Sequence, residues 1–93
     1  MTDRRVLVTR LEITRVVEEK LARHGVCVPE VREVFANPRR VRRNPRRAGR
    51  VEILGRTNGG RALVVALDPA SDDTVWHIVT AYDAPPHLKA MIP

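Results

Sequence analysis

Ninety-three residues, 43% of them hydrophobic, carry a net charge of +6, which describes one small globular domain rather than a disordered chain. No apolar run is long enough to cross a bilayer, and Met1-Thr-Asp-Arg-Arg leads into only a short apolar segment, so no signal peptide is expected and the chain reads as cytoplasmic. The lone Cys27 excludes an intrachain disulfide; set between Val26 and Val28, it reads as a small buried hydrophobe.

Val6-Leu-Val8 and Leu11-Glu-Ile13 are short extended candidates, one of which supplies a first strand. Thr14 can cap a helix running to about His24, with Val17, Leu21 and His24 on one face. Gly25 follows as the residue that ends it. Pro29-Glu30 opens a second helix with an apolar stripe of Val31, Val34 and Phe35, and Asn37-Pro38 closes it.

Residues 39–43 fit an irregular strand, and Asn44-Pro45 and Ala48-Gly49 make a loop of residues 44–49. Residues 50–67 form the central hairpin, with Asn58-Gly59 suited to a two-residue type I′ turn. That turn places Arg56 opposite Arg61, Leu54 opposite Leu63 and Ile53 opposite Val64. Val51, Ile53, Ala62, Val64 and Ala66 then share one face, while Leu54, Leu63, Val65 and Leu67 share the other with both arginines. Strand 61–67, apolar on both faces, belongs in the middle of a sheet. After a loop over 68–73, residues 74–82 form a β-branched strand with Trp76, Ile78, Thr80 and Tyr82 on one face. Asp83 can cap a short helical segment after Pro85-Pro86 that carries Leu88, Met91 and Ile92. The order predicts an α+β layer: two N-terminal helices packed on a small antiparallel sheet of about four strands, with a short C-terminal helical segment.

The positive charge is concentrated. Arg39, Arg40, Arg42, Arg43, Arg46, Arg47 and Arg50 fall within twelve residues that hold no acid, while the other ten basic residues meet eleven acidic ones. With no nearby run of acids, 39–50 is expected to be loop-like. A polyanion such as RNA, or an acidic protein surface, is its natural partner; a solvated basic loop is the plainer alternative.

The chain also resembles a known family. Lys20-Leu-Ala-Arg-His-Gly-Val26, Glu30-Val-Arg-Glu-Val-Phe35 with Asn37-Pro38, Leu54-Gly-Arg-Thr-Asn-Gly-Gly-Arg-Ala-Leu-Val-Val65 and Trp76-His-Ile-Val-Thr-Ala81 resemble, in order, the motifs of BrnT-like proteins. The resemblance implies a single RelE-like domain over 1–93. It also implies a type II toxin that cleaves RNA and is silenced by a cognate antitoxin, a DNA-binding protein of ribbon-helix-helix or helix-turn-helix type. The chain departs from the family at Tyr82, where an arginine is usual, and in its short, proline-broken C-terminus.

Metal-free RNA cleavage needs a group to take the 2′-hydroxyl proton, a donor for the leaving oxygen and cations for the charged phosphorane. Arg56 and Arg61 suit a phosphate clamp if they converge; forking outward into water is the alternative. His24, His77, Glu33 and Tyr82 are the available proton carriers. Each also has an ordinary structural role open to it, as helix cap, edge residue, surface ion pair or packing residue. Trp76 and Tyr82, if on one face, could stack a base. The catalytic candidates are therefore Arg56, Arg61, His24, Glu33 and Tyr82, with the seven arginines of 39–50 as RNA-binding residues. No zinc-site spacing, P-loop, dinucleotide motif or Ser/His/Asp arrangement occurs, so no metal or cofactor is expected.

Overall fold

The computed structural model describes residues 10–70 and 75–93. The Val6–Val8 candidate and residues 71–74 lie outside them. Five strands form one sheet: β1 (Arg10–Glu12), β2 (Arg39–Arg43), β3 (Val51–Arg56), β4 (Ala62–Pro69) and β5 (Val75–Asp83), in the order β1-β5-β4-β3-β2. All neighbours are antiparallel except β1 and β5, which are parallel. The sheet thus has one strand more than expected and is mixed, with β4 at its centre. Among the described residues, no helix is long and apolar enough to cross a membrane.

Helix α1 (Arg15–Arg23) starts where Thr14 Oγ1 accepts the N–H of Val17 at 3.2 Å. Gly25, at φ 69°, turns the chain toward α2 (Val28–Ala36). There Cys27 is the N-cap, and its N–H donates to Glu30 Oε1 at 3.1 Å. Cys27 is exposed, contrary to the buried role expected of it, because the start of a helix holds it at the surface.

Leu21, Val26, Val31 and Val34 of the helical layer bury Val51, Ile53, Leu63, Val65, Leu67, Trp76, Ile78 and Ala81. On the far side of the sheet, Leu54, Ala62 and Val64 lie under Leu88 and Ile92, which belong to α3 (Pro86–Lys89) and the residues after it. Leu21, Val34, Ile53, Val64 and Ile78 are buried, but Phe35, on the apolar stripe expected of α2, is only half-buried and packs at the rim.

The hairpin register differs from expectation by one residue. Arg56 pairs with Ala62, Leu54 with Val64 and Ile53 with Val65. The tip is longer: Thr57 N–H donates to Arg61 O, and Gly60 N–H to Thr57 O, both at 2.9 Å. Gly60, not Asn58 or Gly59, takes the positive φ, at 89°. This is a three-residue tip whose last position is left-handed. A slip of one residue moves one whole strand to the opposite face. Leu63, Val65 and Leu67 therefore join Val51 and Ile53 on the helix side, while Ala62 and Val64 join Leu54 on the far side.

Strand β5 departs in a second way. Ala66 pairs with Thr80 and Leu67 with Ile78, so a bulge interrupts the alternation there. Trp76 and Ile78 stay on the helix side, but Tyr82 packs on the far side. Trp76 and Tyr82 do not form the shared stacking face.

Residues 39–43 are a regular strand rather than an irregular one, paired with β3 along its whole length. The segment 44–49 turns back, with Asn44 Oδ1 accepting the N–H groups of Arg46 and Arg47 at 2.8 and 3.0 Å. The expectation of a wholly loop-like 39–50 fails because distant acids answer the arginines. Arg42 meets Glu52, and Arg50 meets Asp68.

Candidate functional site on the far side of the sheet

The corrected register separates the two arginines expected to face each other. Arg61 pairs across the hairpin with Thr57 and lies on the helix side. Its Nε and Nη2 donate to Asp83 at 2.7 and 3.2 Å. Its Nη1 donates to Gly25 O at 2.7 Å and to both Glu30 oxygens at 3.1 and 3.2 Å. Arg61 is thus a fastener between the α1–α2 turn, the hairpin and the end of β5. The hydrogen bond from the Cys27 N–H, followed by the contact with Arg61, holds Glu30 below the usual carboxylate range. The Arg61 hydrogen bonds do the same for Asp83.

Glu33 does not partner either arginine. Its Oε1 accepts the N–H of Asn58 at 3.0 Å, and Asn37 Nδ2 donates to Arg56 O and Asn58 Oδ1 at 2.9 and 3.0 Å. Together they tie the hairpin tip to the end of α2. Arg56 lies on the opposite side of the sheet from Arg61, paired with Ala62, and donates only Nη1 to Gly60 O at 3.1 Å.

The far side gathers most of the remaining polar groups. One row across the strands reads Arg42, Glu52, Ala66, Thr80; the next reads Arg40, Leu54, Val64, Tyr82. Arg56 and Ala62 start a third row. Glu52 is only 4% exposed, and it accepts from Arg42 Nε at 2.5 Å and from Asn44 Nδ2 at 3.3 Å. Sequence reasoning passed over Glu52. The available signal was one acid inside the apolar run Val51-Glu-Ile-Leu54, a placement that burial makes costly unless the acid is paired. Thr80 Oγ1 is buried beside this row with no hydrogen-bond partner among the described residues.

Tyr82 is half-buried, and its ring meets that of His24 at 6.3 Å between centroids, tilted by 54°. Burial raises the phenol above its ordinary value; the Glu52 charge adds to this, and Arg42 opposes it. At neutral pH the phenol is therefore a proton donor. His77 lies elsewhere, on β5 beside β1, with Nδ1 at 3.1 Å from Glu12 Oε1.

The basic stretch divides into engaged and available arginines. Arg39 donates to Phe35 O at 2.8 Å and lies over the Phe35 ring. Arg42 is bound to Glu52, and Arg50 makes a two-pronged contact with Asp68 at 3.0 Å on each prong. Arg40, Arg43, Arg46 and Arg47 are exposed, and their side chains make no hydrogen bond or ion pair among the described residues. Arg40, Arg42, Arg56, Glu52 and Tyr82 thus lie on one side of the sheet; Leu54 and Val64, under Leu88 and Ile92, separate Arg40 from Tyr82, whereas Arg56 is one strand nearer to Tyr82 and His24 stands at the margin beside it.

No protein-family model and no curated protein matches this sequence. Among solved structures, the chain is similar to the crystal structure of the Brucella abortus ribonuclease toxin BrnT. The TM-score is 0.62 at 16% identity, covering 82% of this chain and 96% of that one. The likeness spans nearly the whole of the toxin, and the chain has a BrnT-like α+β fold.

Proposed function

We propose that this chain is the toxin of a toxin–antitoxin pair, a ribonuclease that works without metal through the far side of its sheet. The observation that carries this reading is the likeness to a ribonuclease toxin over nearly that protein's full length. In the proposed reaction the 2′-oxygen attacks the adjacent phosphorus and the bond to the 5′-oxygen breaks. The products are a 2′,3′-cyclic phosphate and a free 5′-hydroxyl. Arg56 holds the phosphate charge as it grows in the transition state. His24 takes the 2′-proton, and Tyr82, kept protonated by its surroundings, supplies one to the leaving oxygen. Arg42 and Glu52 hold the floor of the site, while Arg61 and Glu33 act as positioning residues that keep the hairpin in place. The remaining arginines of 39–50 extend the RNA contact, and a cognate antitoxin covers the site when activity is not required.

The test is incubation of purified protein with RNA in EDTA, set beside the Arg56→Ala and Tyr82→Phe variants. Cleavage by the parent and its loss in both variants is expected. Intact RNA with the parent protein overturns the reading. A second reading, a binding protein of the same fold without cleavage, is favoured by one observation: Arg61 spends its guanidinium, and Glu33 one carboxylate oxygen, inside the scaffold. In that case RNA is bound in a salt-dependent manner and recovered uncut.

A further inference from the structure

Strand β2 is the last strand of the sheet, so one of its two main-chain edges is unpaired among the described residues. An exposed edge is a template for another strand, and charge on it governs which strand can add. Here the edge reads Arg39-Arg-Val-Arg-Arg43. A second copy of the chain would set arginine against arginine, which disfavours self-association. The same charge favours an acidic strand. Val41 is 41% exposed, one of two large hydrophobic side chains so exposed among the described residues. It lies between two positions of unsatisfied charge, because Arg40 and Arg43 have no ion pair among the described residues, whereas Arg42 is committed to Glu52 and Arg39 to Phe35.

We propose that the outer edge of β2 receives an extended acidic segment of a partner polypeptide as an added strand. The source of that segment, a cognate antitoxin, rests on the function proposed above; the docking chemistry does not. The alternation of side chains specifies the segment. In antiparallel pairing, an acid–polar–apolar–acid order sets carboxylates against Arg43 and Arg40 and the apolar side chain against Val41. RNA could use the arginines, but it gains nothing from Val41 or from free main-chain N–H and C=O groups, so a peptide fits the edge better. Arg46 and Arg47, in the adjoining turn, extend the attraction to acids beyond the paired segment.

The experiment measures binding of a short fluorescent peptide with Glu-Thr-Val-Glu at its centre to the full chain. Two further peptides carry backbone N-methyl groups at alternate residues, in opposite phases. Only one phase of N–H groups faces the edge, so one methylated peptide should lose binding and the other should keep it. The Arg40→Ala/Arg43→Ala variant should bind the parent peptide at least ~10-fold more weakly, with an unchanged melting temperature. If both methylated peptides bind like the parent, or a scrambled peptide of equal charge does, there is no strand addition and the proposal is overturned. It is also overturned if single-stranded RNA binds these arginines while no peptide binds in a way that depends on the phase of methylation. The methylated arm uses the unaltered protein and survives any folding defect of the variant. Cleavage of RNA in EDTA is read without peptide, so failure of that activity and failure of docking are told apart.

Discussion

Arg61 and Glu30 meet at 3.1 Å across the gap between the hairpin and the second helix, while the same guanidinium grips Asp83 at 2.7 Å. One side chain therefore closes a triangle among α2, the hairpin tip and the end of β5. Arg61→Ala should lower stability by about 1–2 kcal/mol, since the pairs are partly exposed but the loss takes this donor from Asp83 and the Gly25 carbonyl and leaves Glu30 with the Cys27 groups alone. Arg61→Lys should recover only part of this, because one ammonium cannot reach all three partners. Urea unfolding of the three proteins measures it; an Arg61→Ala midpoint equal to the parent's would show that the triangle contributes nothing.

The two arginines should separate in function as they do in space. Arg56→Ala should reduce RNA cleavage by roughly 100-fold with little change in melting temperature, because its guanidinium makes only one hydrogen bond among the described residues. Arg61→Ala should act through the melting temperature instead. Single-turnover cleavage measured well below both melting temperatures distinguishes them. Equal losses in both variants at equal stability would restore the two-arginine clamp.

The fold class was legible from apolar periodicity and helix-end signals, because Thr14, Gly25, Pro29 and Asn37-Pro38 act locally and the structure uses each near its expected place. The hairpin faces were not. Asn58-Gly59 and Asn58-Gly59-Gly60 both make a turn, and two residues instead of three move one strand by one position. A bulge in β5 is similarly silent in an alternating sequence such as Val75–Tyr82. The site suffered most from this. Which residues share a face follows from register, so Arg61 was assigned to a clamp, and Glu52 was hidden by its apolar neighbours. Long-range ion pairs such as Arg50 with Asp68 leave no local trace, and the basic stretch looked more disordered than it is.

Acid should weaken the fold through three carboxylates. The Cys27 N–H and then Arg61 hold Glu30 low, Arg61 holds Asp83 low, and Arg50 holds Asp68 low. A carboxylate whose folded pKa is depressed contributes stability at neutral pH and loses it as pH falls from about 4 through the folded values. Stability should therefore be flat from neutral pH down to the ordinary carboxylate range and drop below it. In Arg61→Ala the drop should be shallower, since two of the three shifts shrink. Urea midpoints against pH for both proteins test this; parallel curves would deny Arg61 its role.

At Gly55 the second helix lies close against the sheet. A Cβ there would stand 2.8 Å from Val34 Cγ1 and 3.4 Å from the Val34 carbonyl oxygen. Val34 is fully buried and β-branched, so its side chain has little freedom to yield. Gly55→Ala should cost about 1–3 kcal/mol by overpacking. Adding Val34→Ala removes the obstructing methyls, so the double variant should be more stable than the two single losses summed. Strict additivity would mean that the helix shifts away instead.

Tyr82 is the only tyrosine in the chain, so its titration can be read directly from ultraviolet absorbance. Burial is the first reason for its raised pKa, with the Glu52 carboxylate adding to it and Arg42 opposing. Glu52→Gln removes a negative charge that disfavours phenolate, so the titration should move down. Arg42→Gln removes a positive charge that favours phenolate and should move it up. Both variants leave the ring packed against the Leu54–Val64 cluster, so a residual upward shift from burial should persist in each. The linkage has a definite sign: a phenol with a raised folded pKa contributes stability that is intact below about 10 and is lost as pH rises through the folded value. The stability lost above about 10 grows with the size of the upward shift, so Arg42→Gln should lose more on alkaline titration than Glu52→Gln, once each curve is normalised to its own neutral stability. Opposite movements of the phenol in the two variants would place Tyr82 in the same electrostatic field as the Arg42–Glu52 pair. Identical titrations in all three proteins would remove Tyr82 from that field, and with it the proposed proton donor of the far side.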